Sequence, residues 1–268
     1  MKLFLTIIFT FFTGFLQAQE LFVYTEPASN MAAKSIGIRL TNTLMHEKAG
    51  KYSYHFLPEV MLGLSKKIMI HADGLFGNQD SGFKAEGGSL YIKYRFYSLD
   101  EVHNHFRMAA FARAAYNNSI PHQEAIDLNG HHSGYEAGLI ATKLINKIAL
   151  SVNSSFLHAT DNGINRFHYT DAARNAVAYS FSAGKLMLPK NYTDYEQTNI
   201  NMMLEILGQM NLNSGRSYLD AAPSLQFIFL SKMRLDLGYR FKIGSNLLRT
   251  SDNGFLLRFE YNFFNAYK

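Results

Sequence analysis

From Lys34 onward the chain repeats one pattern, with an apolar residue at every second position and a polar or small one between. In Lys232–Gly244, Met233, Leu235, Leu237, Tyr239, Phe241 and Ile243 alternate with Arg234, Asp236, Gly238, Arg240 and Lys242. A period of two places successive side chains on opposite faces of a strand. Twelve such segments can be marked: Lys34–Met45, Tyr52–Leu64, Lys67–Phe76, Gly87–Tyr97, His105–Asn117, Ser133–Leu144, Lys147–His158, Asn175–Met187, Thr198–Met210, Ser217–Leu230, Lys232–Gly244 and Gly254–Phe264. Most hold ten to fourteen residues. Strands of soluble proteins average about 5–6 residues, whereas a strand crossing a membrane obliquely needs about 9–11. The pattern predicts an all-β fold, a single transmembrane antiparallel up-and-down β-barrel of about twelve strands.

The connections fall into two classes. Ser65–Lys66, Ser98–Asn104, Ile145–Asn146, Leu188–Gln197 and Ser231 join alternate hairpins and are mostly tight. The others include the long polar loops Asn118–His132 and Ala159–Arg174, with Gly77–Glu86 and Ser245–Asn253 intermediate. Short turns on one rim and long loops on the other are the habit of outer-membrane barrels, the short turns being periplasmic. An even strand count returns both termini to that rim. The Leu188–Gln197 connection is long for it and could hold a small helix.

Periodicity alone does not say which face points inward. A soluble sandwich buries its apolar face, and a membrane barrel inverts the arrangement. Aromatic residues gather near segment ends on the apolar face, at Phe76, Phe96, Phe106, Tyr116, Tyr135, Phe156, Phe255 and Phe263, as two interfacial girdles would require. The polar face is an Arg-rich mixture of both signs: Arg39, Glu59, His71, Asp73, Lys93, Arg95, Arg107, Arg113, Glu136, Glu205, Asp220, Arg234, Asp236, Arg240, Lys242, Arg258 and Glu260. Arg suits confined bidentate pairing. These residues are expected to line a narrow lumen, with outer-membrane lipid against the other face.

Composition narrows the chemistry. The 268 residues include no Cys and no Trp, but 16 Tyr and 22 Phe. Disulfides, thiolate metal sites, a catalytic Cys and a lipidated N-terminal Cys are excluded. The formal net charge is +5, with basic and acidic residues interspersed, so no nucleic-acid footprint is visible. Lys2, the apolar run Leu3–Phe15 and the small residue Ala18 read as a cleaved signal peptide over residues 1–18. Residues 19–33 form an irregular leader that could fold into the lumen as a plug, and 34–268 form the barrel.

The stretches ELFVYTEPASNMAAKSIGIRL, EGGSLYIKYRFYS, HFRMAAFARAAYNNS, GYEAGLIATKL and YSFSAGKLMLPKNYT resemble a family of uncharacterised Bacteroidetes-type outer-membrane barrels. That family is loosely similar to the transporter-like barrels of the phenol meta-pathway. The resemblance implies a fold and an outer-membrane location, and it carries over no catalytic residue. The aromatic-rich last segment Gly254–Phe264 likewise resembles the signal read by the barrel assembly machinery, although Asn265–Lys268 follow it.

These features suggest a passive channel for a small polar or anionic solute, without a cofactor. A closed docking barrel acting through its loops is the first alternative, and a lipid- or peptide-directed hydrolase the second. His71 and Asp73 share a face, as an acid–histidine pair of an outer-membrane protease would, but a place in the charge network is the ordinary reading. His55, with Ser53 near it, and His105 also lie on polar faces, yet no G-x-S-x-G motif is present. His122, His131 and His132 are weak metal candidates on a solvated loop.

Overall fold

The computed structural model describes residues 22–79, 82–101, 104–167, 174–189 and 197–267. The expected signal segment 1–18, the first leader residues and 190–196, where the expected small helix of the Leu188–Gln197 connection would fall, lie outside the described residues. Twelve strands follow in chain order: β1 (Ser35–Glu47), β2 (Tyr52–Gly63), β3 (Ile68–Gly77), β4 (Lys84–Glu101), β5 (Asn104–Asn117), β6 (Gly134–Ile145), β7 (Ile148–Ala159), β8 (Asn175–Leu188), β9 (Asn199–Asn211), β10 (Ser217–Phe229), β11 (Met233–Ser245) and β12 (Ser251–Phe263). Each pairs antiparallel with its sequence neighbours, and β1 closes on β12. Closure leaves no unpaired strand edge.

The burial of the alternating residues distinguishes the two faces. Leu90, Ile92, Leu139, Val152, Phe181, Leu204, Leu225, Leu237, Leu257 and Phe259 are exposed on the outside of the wall. Arg39, His71, Lys93, Arg107, Glu205, Asp220, Gln226, Arg234, Asp236 and Glu260 are buried within it. A water-soluble barrel would show the opposite sense. Exposed aromatics stand near both ends of the wall, with Phe96, Tyr97 and Phe263 towards the short-turn rim and Tyr116, Tyr135 and Phe255 towards the long-loop rim.

Strand bounds differ from the sequence reading chiefly in the β4–β5 hairpin. Residues expected to form a turn continue the ladder, with Ser98 opposite Arg107 and Glu101 opposite Asn104. A bulge between Arg95 and Tyr97 shifts the register there, which is how the consecutive aromatics Phe96 and Tyr97 both come to be exposed. Two prolines sit inside strands. Pro58 on β2 and Pro223 on β10 fall where pairing to one neighbour is interrupted, between Phe56 and Glu59 and between Ala221 and Ser224. Neither residue has an N–H to donate, so the breaks match their chemistry.

Candidate functional site: the barrel interior

Two irregular segments enter the space inside the wall. The first is the chain before β1. Phe22, Val23, Ala28, Ser29, Asn30 and Met31 are buried. The backbone N–H groups of Val23 and Tyr24 both donate to Oε1 of Glu205 at 2.8 Å, and Thr25 donates to Oε2 at 2.7 Å. The Ala28 N–H donates to Thr142 at 2.9 Å. Lys93 donates to the carbonyls of Pro27 and Ser29 at 2.7 and 2.8 Å, and Arg258 donates to the carbonyl of Val23 at 2.6 Å. An irregular backbone needs such partners, because buried amides and carbonyls are costly unpaired. The interior face supplies them from β4, β6, β9 and β12.

Apolar residues fix the same segment. Phe22 and Val23 pack with Met203 and Leu256, Ala28 with Tyr91, Phe111 and Ile140, and Met31 with Met61 and Met69. These wall residues are interruptions of an otherwise polar face. Their positions were a usable sequence signal for a covering segment, one that counting charges passes over.

The second segment is the loop between β5 and β6. Its residues Gln123 to Ile126 and Leu128 are buried. Ile126 and Leu128 pack on the inward residues Leu157, Ala159 and Ala176. Gln209 clamps the loop backbone, accepting from the Ile126 N–H and donating to its carbonyl, both at 2.8 Å. Glu124 accepts from Arg216 at 2.8 Å. Gly130 backs onto His55, whose Nδ1 lies 2.7 Å from where a Cβ would stand, so a side chain there would collide. Asn162, from the next long loop, donates to the carbonyls of Ser119 and His131 at 2.9 and 2.8 Å.

The interior charges are matched within networks. Arg39 meets Glu26 at 2.9 Å, Glu59 at 3.3 Å and Glu260 at 2.8 Å. Arg234 contacts Asp236 at 3.1 Å and Glu260 at 2.9 Å. Asp220 is held by Arg240 at 2.6 Å and Arg249 at 2.7 Å. Arg113 approaches Asp73 at 3.5 Å and Glu136 at 3.9 Å. Arg107 donates to Asp100 at 2.7 Å, and Arg258 lies 3.9 Å from Asp236. Two of the expected positions are peripheral. Arg95 lies at the short-turn rim, donating to the Lys66 carbonyl at 2.7 Å, and Lys242 is exposed at the opposite rim beside Asp252. Glu26, Arg249 and Glu124 were missed, because loops and leaders carry no period to read, and Gln209, on β9, was missed because only charged positions were counted on the polar face.

His71 is paired through Nδ1 with Glu59 rather than with Asp73. The nucleophile–base–acid relay that a hydrolase needs is therefore not assembled around it among the described residues. His131 and His132 are buried while His122 is exposed. No group of three or more His, Asp or Glu residues among the described residues is placed to hold a metal.

Burial pushes the His131 imidazole down to about 3, with His55 beside it adding to the effect, and burial pushes His132 down to about 4. Both rings titrate near 6.5 once unfolded. The unfolded loop therefore binds more protons between those values, and loop stability is full above about pH 6.5 and falls as the pH drops below it. Proteolysis of the 118–133 loop is expected to be slow at pH 7.5 and faster at pH 4.5, and a His131→Asn/His132→Asn variant should lose most of that difference. Equal cleavage at the two pH values in the native chain would contradict this.

No family model and no curated protein matches the sequence. Solved structures match over nearly the whole chain. An outer-membrane channel from Pseudomonas putida F1 aligns with a TM-score of 0.58 at 12% identity, covering 90% of this chain and all of its own. The KdgM porin aligns at 0.53 and 9% identity, covering 85% of this chain and 99% of its own. The fold is that of an outer-membrane porin. The NanC porin adds a third case at 0.51 and 9% identity, covering 84% of this chain and 98% of its own. At these identities the likeness establishes the porin fold alone, and it does not extend to the Bacteroidetes-type family or the phenol meta-pathway barrels.

Proposed function

We propose that this porin-fold barrel is a passive outer-membrane channel for small polar solutes, with both termini periplasmic and the long loops outside. The observation that carries the reading is the inverted wall: apolar outside, polar and ionic inside, around a closed ring of twelve strands. Such a wall is stable only with hydrocarbon around it and polar matter within. The three porins and channels of similar fold support the reading. In this proposal the path runs past the N-terminal segment and the inward loop, which narrow it from opposite rims.

The pairing bears on solute charge. Arg39, Arg113, Arg234 and Arg240 are each answered by one or more carboxylates, so the interior favours polar solutes generally more than anions in particular. A ring of unpaired Arg would do the reverse. In planar bilayers the protein is expected to conduct potassium chloride with weak preference between its ions. Arg240→Ala, which leaves Asp220 with Arg249 alone, should move the reversal potential towards cations. Absence of any conductance across several salts would overturn the channel reading.

A further inference from the structure

The two rims differ in how their cations are matched. At the long-loop rim Lys48 and Lys242 share Asp252, Arg174 meets Asp161 at 2.7 Å and Arg216 meets Glu124 at 2.8 Å. At the short-turn rim Lys66 and Lys67 stand exposed in the β2–β3 turn, Lys147 in the β6–β7 turn and Lys232 in the β10–β11 turn. Among the described residues the exposed carboxylates of this rim are Asp100 and Glu101. Both are engaged within their own hairpin. Asp100 accepts from Ser98 and Arg107 at 2.7 Å, and Glu101 accepts from Asn104 at 2.9 Å.

Two further lysines carry the same charge onto the outside of the wall. Lys143 on β6 follows the exposed Leu139 and precedes the exposed Ile145 on the outward face, and Lys185 on β8 stands between the exposed Phe181 and Met187. Lys143 is opposite Leu150 and Lys185 is opposite Ile148, so the two flank one end of β7, with Lys147 in the turn before it. Strand spacing and rise put their backbones about 12 Å apart, a gap across which two lysine side chains can converge on one group. The Lys143 ammonium lies 5.9 Å from the Phe106 ring. Neither Lys143 nor Lys185 has a carboxylate at ion-pair distance among the described residues.

We propose that this rim, centred on Lys143, Lys147 and Lys185, binds the headgroups of anionic phospholipid, of the phosphatidylglycerol class. Charge complementarity selects the occupant. Each lysine at a membrane surface favours an anionic lipid about fivefold, whereas a zwitterionic headgroup brings an ammonium of its own and gains less. The apolar stems of Lys143 and Lys185 can lie along the wall while their ammonium groups reach the headgroups. The turn lysines recur at three separate hairpins around the ring. A flat lipid surface meets all of them at once, and a compact protein partner would meet one side. The proposal rests on the location proposed above, which turns this rim towards the periplasmic, phospholipid leaflet.

The test uses the mature chain in phosphatidylcholine bilayers, with a fluorophore on a single cysteine at the outward Leu139, one turn of the ladder from Lys143. A minor fraction of chain-brominated phosphatidylglycerol, or the same fraction of chain-brominated phosphatidylethanolamine, is titrated in and quenching is read. Phosphatidylglycerol is expected to reach half-maximal quenching at an about fivefold lower fraction. Raising the salt to about 1 M should remove most of the difference. Lys143→Gln/Lys147→Gln/Lys185→Gln should abolish it, and the matching triple Arg variant, which keeps the charge, should retain it. Equal quenching by the two lipids in the native chain, or a preference that survives the triple Gln variant, would overturn the proposal. Symmetric bilayers make the result independent of which rim faces which leaflet. Equal quenching strikes the lipid site alone and leaves the channel reading standing, whereas quenching by neither lipid would overturn the inverted wall together with the site.

Discussion

Replacing Arg39 by Met is expected to cost about 3–5 kcal/mol of barrel stability, the range for breaking a buried ion pair from one side. Arg39 is the cation shared by Glu26, Glu59 and Glu260. Its removal leaves Glu26 to Lys93, Glu59 to His71 and Glu260 to Arg234, three carboxylates facing one another with their common partner gone. Like charges in a confined interior are less screened than at a surface. Urea titration of the refolded barrel, followed by heat-modifiable gel migration, measures the loss. The double variant Arg39→Met/Glu260→Gln should recover part of it, because one of the stranded charges is neutralised. A double variant no more stable than Arg39→Met would mean that the cost comes from packing and not from charge.

Deleting residues 22–33 is the second large perturbation, and it acts on passage rather than on the wall. The twelve strands pair only with one another to close the ring, so the wall keeps its ladder. The wall groups that lose partners include Glu205, Thr142, Lys93 and Arg258, together with Arg39, which loses Glu26, and Arg107, which loses Ser29. Water can enter and hydrate them once the segment is gone. Single-channel conductance is expected to rise severalfold. A weaker version of the experiment is Glu205→Ala, which removes the acceptor of the Val23, Tyr24 and Thr25 donors and should yield intermittent openings of the larger size. Unchanged conductance on deletion would show that the segment does not obstruct the path.

The wall was legible because alternation is a strong, repeated signal. All twelve strands lie where the two-residue period puts them, and the β4–β5 hairpin is misread beyond the bulge at Phe96 and Tyr97, where Ser98–Asn104 was expected to turn and Ser98–Glu101 instead pair with Asn104–Arg107. The polar side of each strand was readable for the same reason. Its partners were not. Nothing periodic marks Glu26 as a neighbour of Arg39, or Gln209 as the clamp of Ile126, since those contacts join residues far apart through irregular chain. The indirect signal was compositional. Tyr91, Phe111, Ile140, Met203 and Leu256 are apolar residues on a polar face, and each lies under the N-terminal segment. That Lys143 and Lys185 flank one end of β7 depended on register, which no single strand's sequence specifies.

The chain has no cysteine, so single cysteines can report depth and side without background. Environment-sensitive fluorophores placed at the outward positions Leu139 and Leu257 and at the inward positions Thr142 and Gln226 would be read in bilayers containing chain-brominated lipid. Strong quenching at Leu139 and Leu257 with none at Thr142 and Gln226 is the result predicted here. Quenching at the inward pair, or none at the outward pair, would contradict the inverted wall on which the channel reading stands.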